Sequence, residues 1–300
     1  MENLIQRLKR DKRLVSDGGV GTMLMELGLK PGDAPESFNI LHPEVVEKIA
    51  ALYLEAGADI ITTNTFGGSP LRLSFYSLED KTEEINRNAV LSARKAIANR
   101  AYISASCGPS GRFLKPHGDI EPEQMYDSFQ RQIKVLVASG VDIICVETMT
   151  DLREAELAIK AAKTVAVSTP VIATMTFDST PRGFYTMMGV SIEKAASGLE
   201  KAGADVIGSN CGTGIEDMIG TAREFKKQSK LPLIMQPNAG IPTTQGGKPA
   251  YPETPEFMAE KAKEFVSIGV SVIGGCCGTT PEHIRAIREM VEQQNRLRKA

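Results

Sequence analysis

Short apolar runs recur along the chain, separated by longer stretches in which apolar residues return every three or four positions. The runs start near residues 14, 59, 102, 142, 171, 205, 232 and 271, for example Val171-Ile172-Ala173-Thr174-Met175 and Leu233-Ile234-Met235. They are too short for core helices and read as buried strands, while the stretches between them read as amphipathic helices. Four strands are introduced by near-copies of one phrase: Glu55-Ala56-Gly57-Ala58-Asp59-Ile60-Ile61, Ser139-Gly140-Val141-Asp142-Ile143-Ile144, Lys201-Ala202-Gly203-Ala204-Asp205-Val206-Ile207 and Ile268-Gly269-Val270-Ser271-Val272-Ile273. In each, glycine stands where a helix should end and a strand follows.

Several helix starts are marked as well. Asp151 with Glu154 and Thr213 with Glu216 fit the capping box, and Thr254-Pro255 and Thr280-Pro281 place a cap before an N1 proline. Strictly alternating strands and helices call for a parallel sheet. Eight such units predict an α/β chain forming a single (β/α)8 TIM barrel over residues 1–300, with its active site at the C-terminal ends of the strands. A doubly wound open sheet is the alternative.

Composition narrows the function. Of the 300 residues 42% are hydrophobic and 24% charged, with a net charge of −2, so no global pull on nucleic acid is implied. The basic run Arg296-Leu297-Arg298-Lys299 reads as a solvated helix end. No signal-peptide core opens the chain and nowhere do about 18 apolar residues run together, so a cytoplasmic protein with no membrane partner is expected. Five cysteines are too few for a disulfide scaffold, and in a reducing compartment clustered cysteines favour metal binding or catalysis.

Three of those cysteines sit at strand ends, in Gly208-Ser209-Asn210-Cys211-Gly212 and Gly274-Gly275-Cys276-Cys277-Gly278-Thr279-Thr280. Three thiols fill three positions of a tetrahedral zinc, and catalytic zinc sites keep the fourth for substrate. Period two puts Ile207, Ser209 and Cys211 on one strand face, which aims Cys211 into the barrel mouth if that face lines the barrel. Cys276 and Cys277 need an irregular backbone to point together, which the flanking glycines permit. The competing reading is small buried hydrophobes. Cys145 reads as core packing, and nothing marks Cys107 as a ligand. Asp17 and Glu147 end strands one and four in apolar or glycine-rich surroundings, which suits capture of a substrate ammonium group or pairing with an arginine. Asn64, Ser106, Asn210 and Asn238 are candidates to bond a substrate carboxylate, position the metal, or satisfy backbone. His42 and His283 look structural, and His117 lies in a loop on the catalytic side.

With these motifs assembled, the chain resembles the homocysteine S-methyltransferase family and, within it, the homocysteine-binding module of cobalamin-dependent methionine synthases. The matching phrases are Asp17-Gly18-Gly19-Val20-Gly21-Thr22-Met23, Glu55 to Phe66, Gly208 to Gly212 and Gly274 to Pro281. The resemblance implies a Zn2+ held by Cys211, Cys276 and Cys277, with the sulfur of homocysteine as fourth ligand. It implies that Asp17 and Glu147 bind the amino group and that the first loop, with Gly18 and Gly19, and the loop at Ser106 receive the carboxylate. Asn238 is the candidate for a displaceable fourth ligand. The methyl donor implied is methylcobalamin, carried by another domain or protein. Relatives that use betaine, S-methylmethionine or S-adenosylmethionine share the zinc motif, so a stand-alone transferase remains open. A non-catalytic zinc-thiol binding subunit and a phosphate-binding barrel with incidental cysteines are the readings from other classes.

Overall fold

The computed structural model of the chain describes residues 2–10, 13–245 and 248–297; Arg298 and Lys299 of the basic run lie outside them. Eight parallel strands appear where the apolar runs predict them: β1 (Leu14–Val15), β2 (Ile60–Thr62), β3 (Tyr102–Cys107), β4 (Ile143–Met149), β5 (Val171–Met175), β6 (Val206–Cys211), β7 (Leu233–Pro237) and β8 (Val272–Ile273). The principal helices between and after them are α1 (Pro43–Glu55), α2 (Thr82–Ile97), α3 (Pro122–Ala138), α4 (Leu152–Val165), α5 (Ile192–Ala202), α6 (Ile215–Gln228), α7 (Pro255–Ile268) and α8 (Pro281–Leu297). The eight strands form one sheet in which sequence neighbours pair in parallel and β8 pairs with β1. A parallel bridge between Ser16 and Ile60 closes the ring, with Asp17 N donating to Ile60 O at 3.1 Å and Asp59 N to Val15 O at 2.7 Å. This is a (β/α)8 barrel.

The core has two compartments. Between strands and helices lies a large apolar layer, and inside the barrel lies a smaller one formed by Leu14, Ile60, Tyr102, Ile143, Cys145, Ile172, Val206, Ile234 and Val272. The inner cluster also takes Leu4 and Leu8 of a short N-terminal helix (Leu4–Leu8), which plugs the barrel floor. Above the apolar ring the interior turns polar, with Ser16, Ser104, Thr174 and Gln236 all buried. Polarity thus rises from the floor toward the C-terminal mouth, which sets where polar chemistry can sit.

The repeated phrase has a structural task. The carboxylates of Asp59, Asp142 and Asp205 accept from the backbone N–H of Val15, Ile103 and Val171 on the preceding strand, at 3.0, 2.8 and 2.8 Å. Each is also paired with a cation: Asp59 with Arg7 and Arg288, Asp142 with Arg94, and Asp205 with Lys163. These clamps hold neighbouring strands together at the end opposite the mouth.

Two capping expectations are corrected. The N-cap of α6 is Gly214, which has no side chain to cap with, and Thr213 donates to Asp217 instead. The orphan N–H of Ile215 is satisfied by Glu253 Oε2, at 3.2 Å, from the loop after β7. Asp151 does cap α4, but Glu154 does not complete a box: it accepts from Ser110 N at 2.7 Å. The caps at Thr254 and the helix start at Pro281 stand as read. Two small hairpins, Asp178–Thr180 with Gly183–Tyr185 and Thr243–Gln245 with Lys248–Ala250, extend the loops after β5 and β7.

Candidate active site

The two cysteine loops meet at the barrel mouth. On β6 the interior-facing residues are Val206, Gly208 and Asn210, since Val206 belongs to the inner cluster and Ile207 to the outer layer. By strand parity Cys211 therefore faces outward, which reverses the sequence expectation. Its backbone corrects this at the last step: Cys211 takes φ +62° and Gly212 φ +71°, a left-handed turn at the end of the strand. On the other side β8 ends at Ile273 and the chain continues irregularly. Gly275 N donates to Asp17 O at 3.0 Å, Cys276 N to Pro237 O at 2.8 Å and Cys277 N to Asn238 Oδ1 at 3.0 Å. The glycines admit close packing: a Cβ on Gly19 would lie 2.7 Å from Cys276 O.

The result is that the sulfurs of Cys211, Cys276 and Cys277 all lie within 4.8 Å of one another. A tetrahedral zinc with bonds of about 2.3 Å wants its sulfurs roughly 3.8 Å apart. The donor set therefore fits a soft, tetrahedral cation and leaves one position open. The neighbouring Cys276 and Cys277 thiols pull the Cys211 thiol down to about 3 while those two are pushed up, so one thiolate among the three sulfurs is favoured at neutral pH.

Beside it stand two carboxylates. Asp17 is fully buried and accepts from Thr62 N at 2.6 Å, Thr62 Oγ1 at 2.8 Å and Ser16 Oγ at 3.3 Å. Burial pushes it up to about 6, against the pull of the Thr62 and Ser16 bonds. Glu147 accepts from Ser106 Oγ and, at 3.1 Å, from Asn210 Nδ2. Burial, opposed by the Ser106 bond and reinforced by the charges of Asp17 and Cys211, pushes it up to about 7. No cation pairs with either carboxylate among the described residues. Both carboxylates therefore carry raised pKa values at the barrel mouth with no partner cation among the described residues, Asp17 buried and Glu147 half-buried.

Asn210 organises this region. Its Oδ1 accepts from Thr148 N at 2.9 Å and Thr174 Oγ1 at 2.8 Å, while Nδ2 donates to Glu147, to Thr148 Oγ1 at 2.7 Å and toward Cys276 Sγ at 3.9 Å. Thr148 is a β-branched residue at φ +60°, beside a register shift between Val146 and Met149. Such strain costs about 1–3 kcal/mol and persists only where surroundings hold it. Asn210 supplies that hold and so fixes the direction of Glu147. Asn238 bridges the two cysteine loops, donating to Gly212 O at 2.7 Å while its Oδ1 accepts from Cys277 N.

The other predicted residues divide. Ser106 is at the site, bonded to Glu147. Gly18 and Gly19 pack on the second cysteine loop, and Gly19 N donates to Thr279 O at 3.0 Å. Asn64 directs its amide nitrogen to Pro35 O and Asn39 Oδ1, at 2.8 and 3.0 Å, not to the carboxylates or cysteines. Cys145 packs inside the barrel floor cluster, and Cys107 lies in the outer layer; burial pushes both thiols up. His283 accepts from Thr280 N and bonds Glu253 O at 2.9 Å, a structural role, while His117 is exposed. Sequence reasoning missed Thr62, Thr148 and Thr174. Of these, only Thr62 and Thr148 were signalled, as polar residues beside strand ends.

Comparison with known proteins gives the family and the fold. The family description "Homocysteine S-methyltransferase" matches residues 14–291. Methionine synthase of Mycobacterium leprae is 31% identical over 98% of the chain, and that of Mycobacterium tuberculosis is 32% identical over 93%. The chain spans about a quarter of the length of either, 25% and 24%. Among solved structures, the metallated homocysteine methyltransferase MmuM from Escherichia coli superposes with a TM-score of 0.78 at 21% identity, covering 95% of this chain and 98% of that one. A type I 3-dehydroquinate dehydratase from Clostridium difficile gives 0.53 at 14% identity, covering 96% and 93%. These structural matches show the shared barrel.

Proposed function

The chain belongs to the homocysteine S-methyltransferase family, and from that premise we propose that it transfers a methyl group to the sulfur of homocysteine, giving methionine. The observation that carries the reading is the convergence of three cysteine sulfurs beside two carboxylates, of Asp17 and Glu147, that no cation pairs with among the described residues. Cys211, Cys276 and Cys277 would hold zinc, with the homocysteine sulfur as the further donor. Zinc supplies deprotonation of that thiol at neutral pH, where a free thiol near pKa 8.5 is only a few per cent thiolate. Asn238 would serve as the displaceable ligand before substrate, since its Oδ1 uses one lone pair on Cys277 N and keeps another.

The protein's own residues set the geometry. Asp17 and Glu147, ionised, take the substrate ammonium. Thr62, Ser106 and Asn210 hold those carboxylates in place, and the loops at Gly18-Gly19 and Ser106 lie toward the carboxylate end of the substrate. Fixing both ends of homocysteine leaves one sulfur lone pair directed at the open mouth, so the donor's methyl carbon can be attacked in line. As the S–CH3 bond forms, the pair of the donor bond leaves with the carrier, and the product is a neutral thioether.

The donor is proposed to be methylcobalamin, presented by a corrinoid-carrying domain or protein. The fourfold greater length of the matched methionine synthases supports a donor held outside this barrel. Cytoplasmic location fits an enzyme of reduced thiols; no helix of the described residues is long and apolar enough to cross a membrane. The test is to mix zinc-loaded protein with homocysteine and methylcobalamin and to follow methionine together with the corrinoid spectrum. Methionine formed in step with demethylated corrinoid supports the reading. Transfer from betaine, S-methylmethionine or S-adenosylmethionine alone would reassign the donor, and zinc-dependent homocysteine binding with no transfer from any donor would make this a binding subunit.

A further inference from the structure

Gln236 on β7 is 7% exposed, and its side-chain oxygen accepts from no donor among the described residues. It faces the barrel interior, two residues above Ile234 of the inner cluster and in register with Asn210 of β6. Its Nε2 donates to Ser16 Oγ at 3.3 Å, and Ser16 Oγ in turn donates to Asp17 Oδ1 at 3.3 Å. The Ser16 proton is spent on Asp17, so the hydroxyl can only accept from the amide. That fixes which end of the amide is nitrogen and leaves Oε1 as the unused acceptor. A buried acceptor left unbonded costs free energy that a ligand donating to it would recover.

An ammonium group carries three N–H donors, and Asp17 and Glu147 account for only two of them. Those acids come from β1 and β4, and Gln236 comes from β7. Around the closed ring β4 lies three strands from β1, β7 lies three from β4, and two steps lead from β7 back to β1. The three acceptors thus surround the barrel axis almost evenly, as the three N–H bonds of an ammonium surround its C–N bond. Gln236 also has a link to each acid. Ser16 connects it to Asp17, and its register neighbour Asn210 donates to Glu147 at 3.1 Å. We propose that Gln236 is a substrate-binding residue whose Oε1 accepts the third N–H of the homocysteine ammonium. A neutral acceptor suits the place, because a third carboxylate beside Asp17 and Glu147 would add like-charge repulsion in a buried site. This rests on the homocysteine reading given above.

The test is calorimetric titration of zinc-loaded protein with homocysteine and with 4-mercaptobutanoate, the same thiol acid without its amino group. Gln236→Met keeps the length of the side chain and removes the acceptor. In Q236M homocysteine binding is expected to weaken roughly tenfold or more, the worth of one hydrogen bond to a charged group, while 4-mercaptobutanoate binds as it does to wild type. Gln236→Asn keeps an amide but sets it one methylene back; it should show the same selective loss, and it serves if Q236M does not fold. An equal loss for both ligands, or a loss for neither, would overturn the role of Gln236 while leaving the two acids in theirs. A wild-type protein that binds the two thiols equally well would overturn ammonium capture itself, and this inference with it.

Discussion

Replacing Glu147 by Gln removes one negative charge and keeps the shape, so the bonds with Ser106 and Asn210 can be rebuilt around an amide. The loss is the charge-assisted contact with the substrate ammonium, worth about 1.5–3 kcal/mol, or roughly 10- to 150-fold in homocysteine Kd at pH 8. The pH dependence separates this from general damage. Glu147 titrates at about 7, and only the ionised form attracts the ammonium. At pH 6 about nine-tenths of the wild-type sites are protonated there, so the E147Q penalty should shrink by about tenfold between pH 8 and pH 6. Taking the Kd ratio of the two proteins at each pH cancels the thiol ionisation common to both. The sign for stability runs the opposite way. A carboxyl whose folded pKa is raised from 4.5 to about 7 favours folding fully below about pH 4.5, and that advantage is lost as pH rises through 7. E147Q, which cannot ionise, should therefore melt higher than wild type at pH 8 and match it at pH 4.5. Calorimetric titration with homocysteine on zinc-loaded protein reads the first effect and thermal unfolding the second. A Kd ratio of one, or one that does not change with pH, would refute ammonium capture by Glu147.

Other predictions follow from the same contacts. Cys211→Ala, Cys276→Ser and Cys277→Ser should each lower zinc content measured by elemental analysis and abolish methyl transfer with circular dichroism unchanged; retained activity in zinc-free protein would count against the site. Asn210→Ala leaves Thr148 N with only its longer bond to Thr174 Oγ1 at 3.4 Å and Glu147 with one donor fewer, so it should cost about 1–2 kcal/mol in chemical denaturation and weaken homocysteine binding. Asp59→Asn, at the other end of the barrel, removes the charge that Arg7 and Arg288 share, leaving Arg288 only Glu292, and should cost about 1–2 kcal/mol while zinc and homocysteine affinities stay as they were. A change in those affinities would mean that the floor clamp reaches the mouth.

The barrel was legible because its signals are local. Every strand is a short apolar run, and three of the repeated phrases carry the aspartate that clamps the neighbouring strand. The three cysteines were legible because they cluster at strand ends among glycines. What the sequence hid is direction. Strand parity alone sends Asn210 inward and Cys211 outward, and only a left-handed residue at the strand end, which no residue type announces, brings Cys211 to the cluster. Asn64 and Asn210 look alike as asparagines ending strands, yet one ties Asn39 and Pro35 to the sheet and the other sets Glu147. Contacts made by long loops were out of reach altogether: Glu253 capping α6 and Tyr251 lying on Gly278 depend on how residues 248–254 return to the barrel.

The central claim is that the sulfur of the substrate joins those of Cys211, Cys276 and Cys277 at one zinc ion. X-ray absorption at the zinc edge, recorded with and without homocysteine, tests it directly. The account predicts three sulfur neighbours and one oxygen or nitrogen without substrate, and four sulfurs at about 2.3 Å with it. An unchanged shell when homocysteine is bound, or a shell with fewer than three sulfurs in its absence, would contradict it.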